Sequence, residues 1–315
     1  MTSPSHPTTR ASGASRRGFV AALAGGAIAQ ARPTGLLIDT HIHLFEPARF
    51  PFHANASYRP ESEPLDRYTK FVREAKIDHA VVVHPEPYQD DHRYLEYCFA
   101  NEPSRGFFKG TCLFDPLDPA TPARMKALVD EHPGRIVALR IHEMTAPGKP
   151  HETGGSIKNR DLDHPGMKTA WEAATKLGLA IQLHFLPHFA PRIAKLVAQF
   201  PDTTVVLDHL ARGGLGTPAE YREALRLARF PKVIMKFSGV NYSSKQKAPF
   251  ADARPMTRAA YDAFGPDRMI WGGLGYSAAQ FAEAVEVFET HLGFAPETDR
   301  AKVRGLTAKR IYRFD

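Results

Sequence analysis

The chain carries eight short apolar runs, and stretches with helical spacing lie between them; this alternation restricts the fold more than any other feature. The runs are GLLIDTHIHLF (35–45), HAVVVHPE (79–86), FFKGTCLFDP (107–116), IVALRIHEM (136–144), LAIQLHFLP (179–187), TTVVLDHLAR (203–212), KVIMKFSGV (232–240) and RMIWGGLGYS (268–277). Segments such as LDRYTKFVREAK (65–76), PARMKALVDEH (122–132), GMKTAWEAATKLG (166–178) and PAEYREALRLARF (218–230) place their apolar residues at helical intervals. A last helix is expected at about 297–311. Strands that alternate with helices form parallel βαβ units. Eight such units in about 280 residues fit a single (β/α)8 barrel, the TIM barrel, better than an open sheet.

Composition agrees with one globular domain. Of the 315 residues, 43% are hydrophobic and 24% charged, with no long low-complexity tract. Cys98 and Cys112 have neither metal-like nor redox-motif spacing and read as buried thiols. Residues 1–31 are different material: three arginines and no acid, with Arg16-Arg17 ahead of a weakly apolar stretch and Ala29-Gln30-Ala31 in the form of a cleavage site. They read as a twin-arginine export signal, which predicts a periplasmic or secreted protein and a barrel over 32–315. Removing them lowers the formal charge from +7 to +4, so neither a nucleic acid nor a membrane is expected as partner. The polar, Gly/Pro-rich stretch 145–165 is expected to be a loop over the active-site mouth.

In such a barrel the chemistry gathers at the C-terminal ends of the strands. Run 1 ends in His41 and His43, with Asp39 two residues earlier; run 2 offers His84; run 4 offers Arg140 and His142, then Glu143; run 5 offers Gln182 and His184; run 6 ends in Asp208-His209; run 7 carries Lys236 and Ser238. Residues two apart on a strand share a face, so these side chains are expected to line the lumen, with Asp39, His41 and His43 together. Neutral imidazoles are good zinc ligands, and a catalytic zinc takes about three protein ligands and an open position for water. His41, His43 and His184 could supply those ligands, and His209 could move protons. Arg140, His142, Arg212 and Lys236 are candidates for holding an acidic or sugar-derived small molecule. The other reading of Arg140 and Lys236 is a lumen ion pair with Asp39 or Glu143.

The order Asp-x-His-x-His, then a strand-5 His, then Asp-His resembles the amidohydrolase superfamily. IDTHIH, LAIQLH, VVLDHLAR, VIMKFSG and RMIWGG are similar to its amidohydrolase-related branch of TIM-barrel hydrolases, over nearly all of 35–315. The resemblance implies lactone hydrolysis, with zinc-dependent decarboxylation of an acid as the alternative. It also implies a divalent metal, zinc if any, or direct polarisation of a carbonyl by His41, His43 and His184, with His209 nearby. The chain departs from the family pattern in run 8, where Leu274 stands in place of the usual aspartate. Glu143 is then a candidate to take over proton transfer, and a barrel that only binds its ligand is the third reading.

Overall fold

The computed structural model describes residues 35–152, 154–275 and 277–315. The expected export segment lies outside the described residues. Eight parallel strands stand in sequence order: β1 (Ile38–Ile42), β2 (His79–Val83), β3 (Phe108–Cys112), β4 (Ile136–Glu143), β5 (Ala180–Phe185), β6 (Val205–Leu207), β7 (Val233–Phe237) and β8 (Met269–Trp271). Helices fill the connections: α1 (Leu65–Ala75), α2 (Arg93–Ala100), α3 (Thr121–Glu131), α4 (Pro165–Lys176), α5 (Ala190–Gln199), α6 (Pro218–Leu225), α7 (Arg254–Phe264) and α8 (Ala278–Leu292). In α1 the buried residues Leu65, Tyr68, Phe71, Val72 and Ala75 form one stripe, which is what amphipathic spacing requires of a helix laid on a sheet. The expected last helix exists but is interrupted: α9 (Glu297–Ala301) and α10 (Thr307–Tyr312) flank a π-turn at 302–306. Among the described residues no helix is long and apolar enough to cross a membrane. Both cysteines are buried and free.

Two apolar layers separate the inside of the barrel from its helical coat. Ile38, Val81, Val83, Ala138, Ala180, Val206, Ile234 and Ile270 fill the lumen, and Ala308, Tyr312 and Phe314 of the chain end plug its N-terminal mouth. Residues of opposite parity, such as Val82, Leu139, Ile181, Leu183, Val205 and Met235, pack against the helices. Counting two residues up from each inner residue gives the next lumen position. This brings Arg140 and His142 on β4, Gln182 and His184 on β5, Asp208 after β6, and Lys236 and Ser238 on and after β7 to the C-terminal end, as the alternation predicts.

β1 breaks that rule. Asp39 lies beside Ala80, a residue of the helix-facing layer, and the register shifts between Asp39 and Ile42. An irregularity of this kind turns part of a strand over. Asp39 therefore does not share a face with His41 and His43. Its Oδ1 instead accepts from the backbone N–H groups of His41 (3.0 Å) and Gly273 (2.9 Å). The seam between β8 and β1 is completed by the Thr40 hydroxyl donating to the Trp271 carbonyl (2.6 Å) and Leu274 N–H donating to the His41 carbonyl (3.2 Å).

That seam requires the glycines of WGGLG. A Cβ on Gly272 would stand 2.7 Å from His41 Cβ, closer than packed carbons approach. Gly272→Ala is expected to cost about 1–3 kcal/mol in urea unfolding. Gly154→Ala, where a Cβ meets nothing within 4 Å, serves as the control; it should stay within about 0.5 kcal/mol of wild type. Equal effects at the two positions would contradict the close approach.

Candidate active site

Asp208 is the centre of the lumen cluster. Its carboxylate is fully buried and receives partners from three strands. Lys236 Nζ forms an ion pair with Oδ1 at 3.1 Å, Arg140 Nη2 lies 3.2 Å from Oδ2, and Gln182 Nε2 donates to Oδ2 at 3.1 Å. Burial alone would raise its pKa, but the positive charges of Lys236 and Arg140 outweigh burial and hold it well below the usual carboxylate range. The sequence offered Asp39 or Glu143 as the acid for Arg140 and Lys236; the structure gives that place to Asp208. The reason is parity. Asp39 and Glu143 both fall on the helix-facing side, Glu143 level with Phe185 of the outer layer. Glu143 accepts from Thr145 N–H (3.0 Å) and pairs with His151 (2.9 Å), and the chain does not turn it into the cavity.

After β6 the chain makes a left-handed turn in which His209, Leu210, Ala211 and Arg212 have φ between 53° and 55°. None is glycine, so each carries the steric cost of that region, a form of strain that collects at functional sites. The turn delivers His209 and Arg212 to the same cavity. His209 Nδ1 lies 2.9 Å from Ser238 Oγ. Arg212 stacks on Tyr242 with its guanidinium carbon 3.7 Å from the ring centroid, and donates to His184 Nε2 from Nε (3.0 Å) and Nη2 (2.7 Å). An arginine has only donors, so His184 must accept there and carry its proton on Nδ1. That Nδ1 is buried and has no hydrogen-bond partner. His142 Nε2 is likewise buried without one.

These groups line a cavity of about 440 Å3 at the C-terminal end of the barrel. His43, His142, His184 and His209 line it together with Arg140, Arg212, Glu86, Tyr58 and Tyr242. Lys158 and Asn159 reach in from the 145–165 segment, which does cover the mouth. Asn159 anchors it there through N–H to the His142 carbonyl (3.0 Å) and Oδ1 to Met144 N–H (2.9 Å). Glu86 is already satisfied by Ser57 N–H (3.1 Å), Gln89 Nε2 (2.7 Å) and Ser156. A second cavity of about 220 Å3, beside the ends of β7 and β8, is lined by Leu274 and Trp271 but by no histidine. Tyr58, Glu86, Tyr242, Lys158 and Asn159 were not singled out by the sequence, since no alternation operates in the loops that bear them.

Whether a divalent ion fits depends on free lone pairs. Ligand atoms of His41, Asp208 and His209 lie within 4.8 Å of one another, the spacing of a metal triad. The expected ligands His41 and His43 also approach, Nε2 to Nε2 at 3.2 Å. Yet Lys236 Nζ lies 3.4 Å from His41 Nδ1, and an ammonium can only donate. His41 then carries its proton on Nε2 and gives it to His43 Nε2, while His43 Nδ1 donates to the Val83 carbonyl (2.7 Å). His184 Nε2 is taken by Arg212. The three expected ligands thus reach one region of the barrel, but their lone pairs are committed to cations and to each other. The arrangement does not fit a zinc centre of three protein ligands and water.

Burial keeps these imidazoles neutral. It lowers His43 to about 3 and His84 to about 4, and His41, His142, His184 and His209 fall well below the ordinary value for the same first cause, with neighbouring positive groups adding to it. The unfolded chain therefore binds more protons as pH falls through about 6.5, and stability present above that pH is lost below it. Asp39 opposes this: burial raises it to about 6, so protonating it below that pH favours the folded state. Each lowered histidine can contribute up to about 2 kcal/mol between pH 6.5 and 5, against about 1 kcal/mol from Asp39. Urea unfolding should show a lower midpoint near pH 5 than near pH 7.5; an equal or higher midpoint would refute the neutral cluster.

Known proteins share this chain's sequence pattern and its fold. A family model described as amidohydrolase matches residues 38–314. A 4-sulfomuconolactone hydrolase from Hydrogenophaga intermedia is 25% identical over 247 residues, covering 74% of this chain and 72% of that protein. An L-fucono-1,5-lactonase from Burkholderia ambifaria is 25% identical over 298 residues, covering 88% of this chain and 96% of that protein. Among solved structures, an amidohydrolase from Burkholderia multivorans with zinc bound superposes with a TM-score of 0.67 at 19% identity, over 89% of this chain and 100% of the other. That likeness speaks to the fold. With the barrel, the histidine-lined cavity and a family match over nearly its whole described length, the chain belongs to the amidohydrolase family and is a hydrolase.

Proposed function

We propose that this hydrolase opens a lactone that carries an acidic group. The observation that carries the reading is the cavity's charge: Arg140 answers to Asp208, but Arg212 and Lys158 face the space with no carboxylate salt bridge among the described residues, and Glu86 is internally satisfied. A carboxylate or sulfonate on the substrate would complete that balance, Arg212 offering the N–H groups that His184 leaves free. Both lactone-hydrolase relatives support a lactone substrate, and the sulfomuconolactone of one of them carries acidic groups.

The residues allow a simple course. The Nδ1–H of His184 donates to the lactone carbonyl oxygen, and the donor strengthens as that oxygen becomes an oxyanion. His209, neutral at physiological pH, takes a proton from water at the ring nitrogen not directed to Ser238. The water oxygen bonds to the acyl carbon and the ring C–O bond breaks. His209 returns its proton to the departing alkoxide, and the new carboxylic acid loses its own to solvent. Glu143 has no place in this course, because it does not reach the cavity. Decarboxylation remains the second reading only through the same acid-binding arginines. Export through residues 1–31 is part of the proposal and rests on the Arg16-Arg17 segment alone.

A panel of sugar-acid, pyrone and muconate-type lactones tests the reaction. Turnover of an anionic lactone is expected. His209→Ala should lower kcat by about 10²–10⁴ with little change in KM. Arg212→Ala should raise KM for anionic lactones far more than for neutral ones. No turnover of any lactone would overturn the reading. For export, the protein recovered from a periplasmic fraction should begin near Arg32, and retention of residues 1–31 in the cytoplasm would refute it.

A further inference from the structure

Beneath the cavity floor one side chain occupies an unusual place. Lys236 is fully buried, and its Nζ lies 3.1 Å from Asp208 Oδ1, 3.0 Å from the Thr40 carbonyl and 3.4 Å from His41 Nδ1. His41 Nδ1 and Asp208 Oδ1 are themselves 3.6 Å apart. His41 and Asp208 also belong, with His209, to the group whose ligand atoms lie within 4.8 Å of one another, a spacing that would suit one metal ion. The position between them already holds a positive charge.

We propose that Lys236 is a built-in cation. Its ammonium takes the place that a divalent metal would have between Asp208 and His41, and its N–H fixes the proton of His41 on Nε2. The inference concerns the ion chemistry of the barrel and stands whether or not a lactone is the substrate.

Two features separate this role from simple neutralisation of a buried acid. Asp208 already has a cation: Arg140 and Gln182 serve Oδ2. Lys236 serves Oδ1, the oxygen turned toward His41. The second feature is the direction of the histidine hydrogen bonds. If Lys236 were absent, His41 could keep its proton on Nε2 and offer the Nδ1 lone pair, beside Asp208 and His209, to one ion. With Lys236 present, that lone pair accepts from the ammonium, and like-charge repulsion keeps a divalent ion out of the inner position.

Equilibrium dialysis of the purified full chain against zinc tests this directly, with far-UV circular dichroism as a folding check. Wild type should take up no stoichiometric zinc. Lys236→Met should bind one zinc per chain at least about tenfold more tightly than wild type. Adding His209→Ala to it should remove the gained site. A folded Lys236→Met that gains no zinc, or a wild-type chain that binds one zinc lost in His41→Ala, would overturn the proposal. If Lys236→Met does not fold, the wild-type protein still decides. Labelling histidine with ¹⁵N and assigning His41 by its disappearance in His41→Gln reads the tautomer. Protonation on Nε2 supports the built-in cation, and protonation on Nδ1 refutes it.

Discussion

The Asp208 carboxylate is the constraint on which the active end of this barrel depends. An ion buried in a barrel lumen loses several kcal/mol of hydration, and only close opposite charge with good geometry offsets that loss. Here the compensation comes from β4 through Arg140, from β5 through Gln182 and from β7 through Lys236. Lys236 extends the link to β1 through the Thr40 carbonyl. One carboxylate thus ties four strands together just beneath the cavity. Removing it would leave two buried cations facing each other, a larger penalty than the loss of a single contact.

The same centre accounts for the state of the histidines. Each fixed cation beneath or beside them adds to the effect of burial in keeping the rings neutral. A neutral ring can act as a base, and a ring that accepts from a cation on one nitrogen must donate from the other. Arg212 sets His184 in this way, and Lys236 sets His41. The arginines that suit an anionic substrate therefore also prepare the groups that act on it. Strain contributes as well: the left-handed turn at 209–212 is costly for four non-glycine residues, and it places His209 and Arg212 on one rim.

Much of this was legible in the sequence because strands obey a strict period. On β4, β5 and β7 an apolar inner residue is followed two positions later by the polar residue of the site. The alternation of Ala138, Arg140 and His142 shows this as plainly as the structure does. The rule fails where the backbone departs from a regular strand. A register shift inside β1 sends Asp39 to the helix-facing side, and nothing in IDTHIH marks it. The left-handed turn is equally hidden, because no glycine stands within DHLAR. Asp208 was visible as a strand-end acid, but its partnership with Lys236 was not, since pairing across a barrel depends on stagger rather than on position in the chain.

Leu274 can now be understood in that setting. Where the sequence resemblance leads one to expect an acid at the end of run 8, this chain has a leucine whose backbone N–H closes the seam on His41. An acid that serves a metal is needed only where a metal charge must be balanced. In this barrel the inner positive charge is the ammonium of Lys236, a single charge already matched by Asp208. The Leu274 side chain instead lines the second cavity, beside the ends of β7 and β8 and apart from the histidines. The lumen charge is therefore balanced by Asp208 without an acid from run 8.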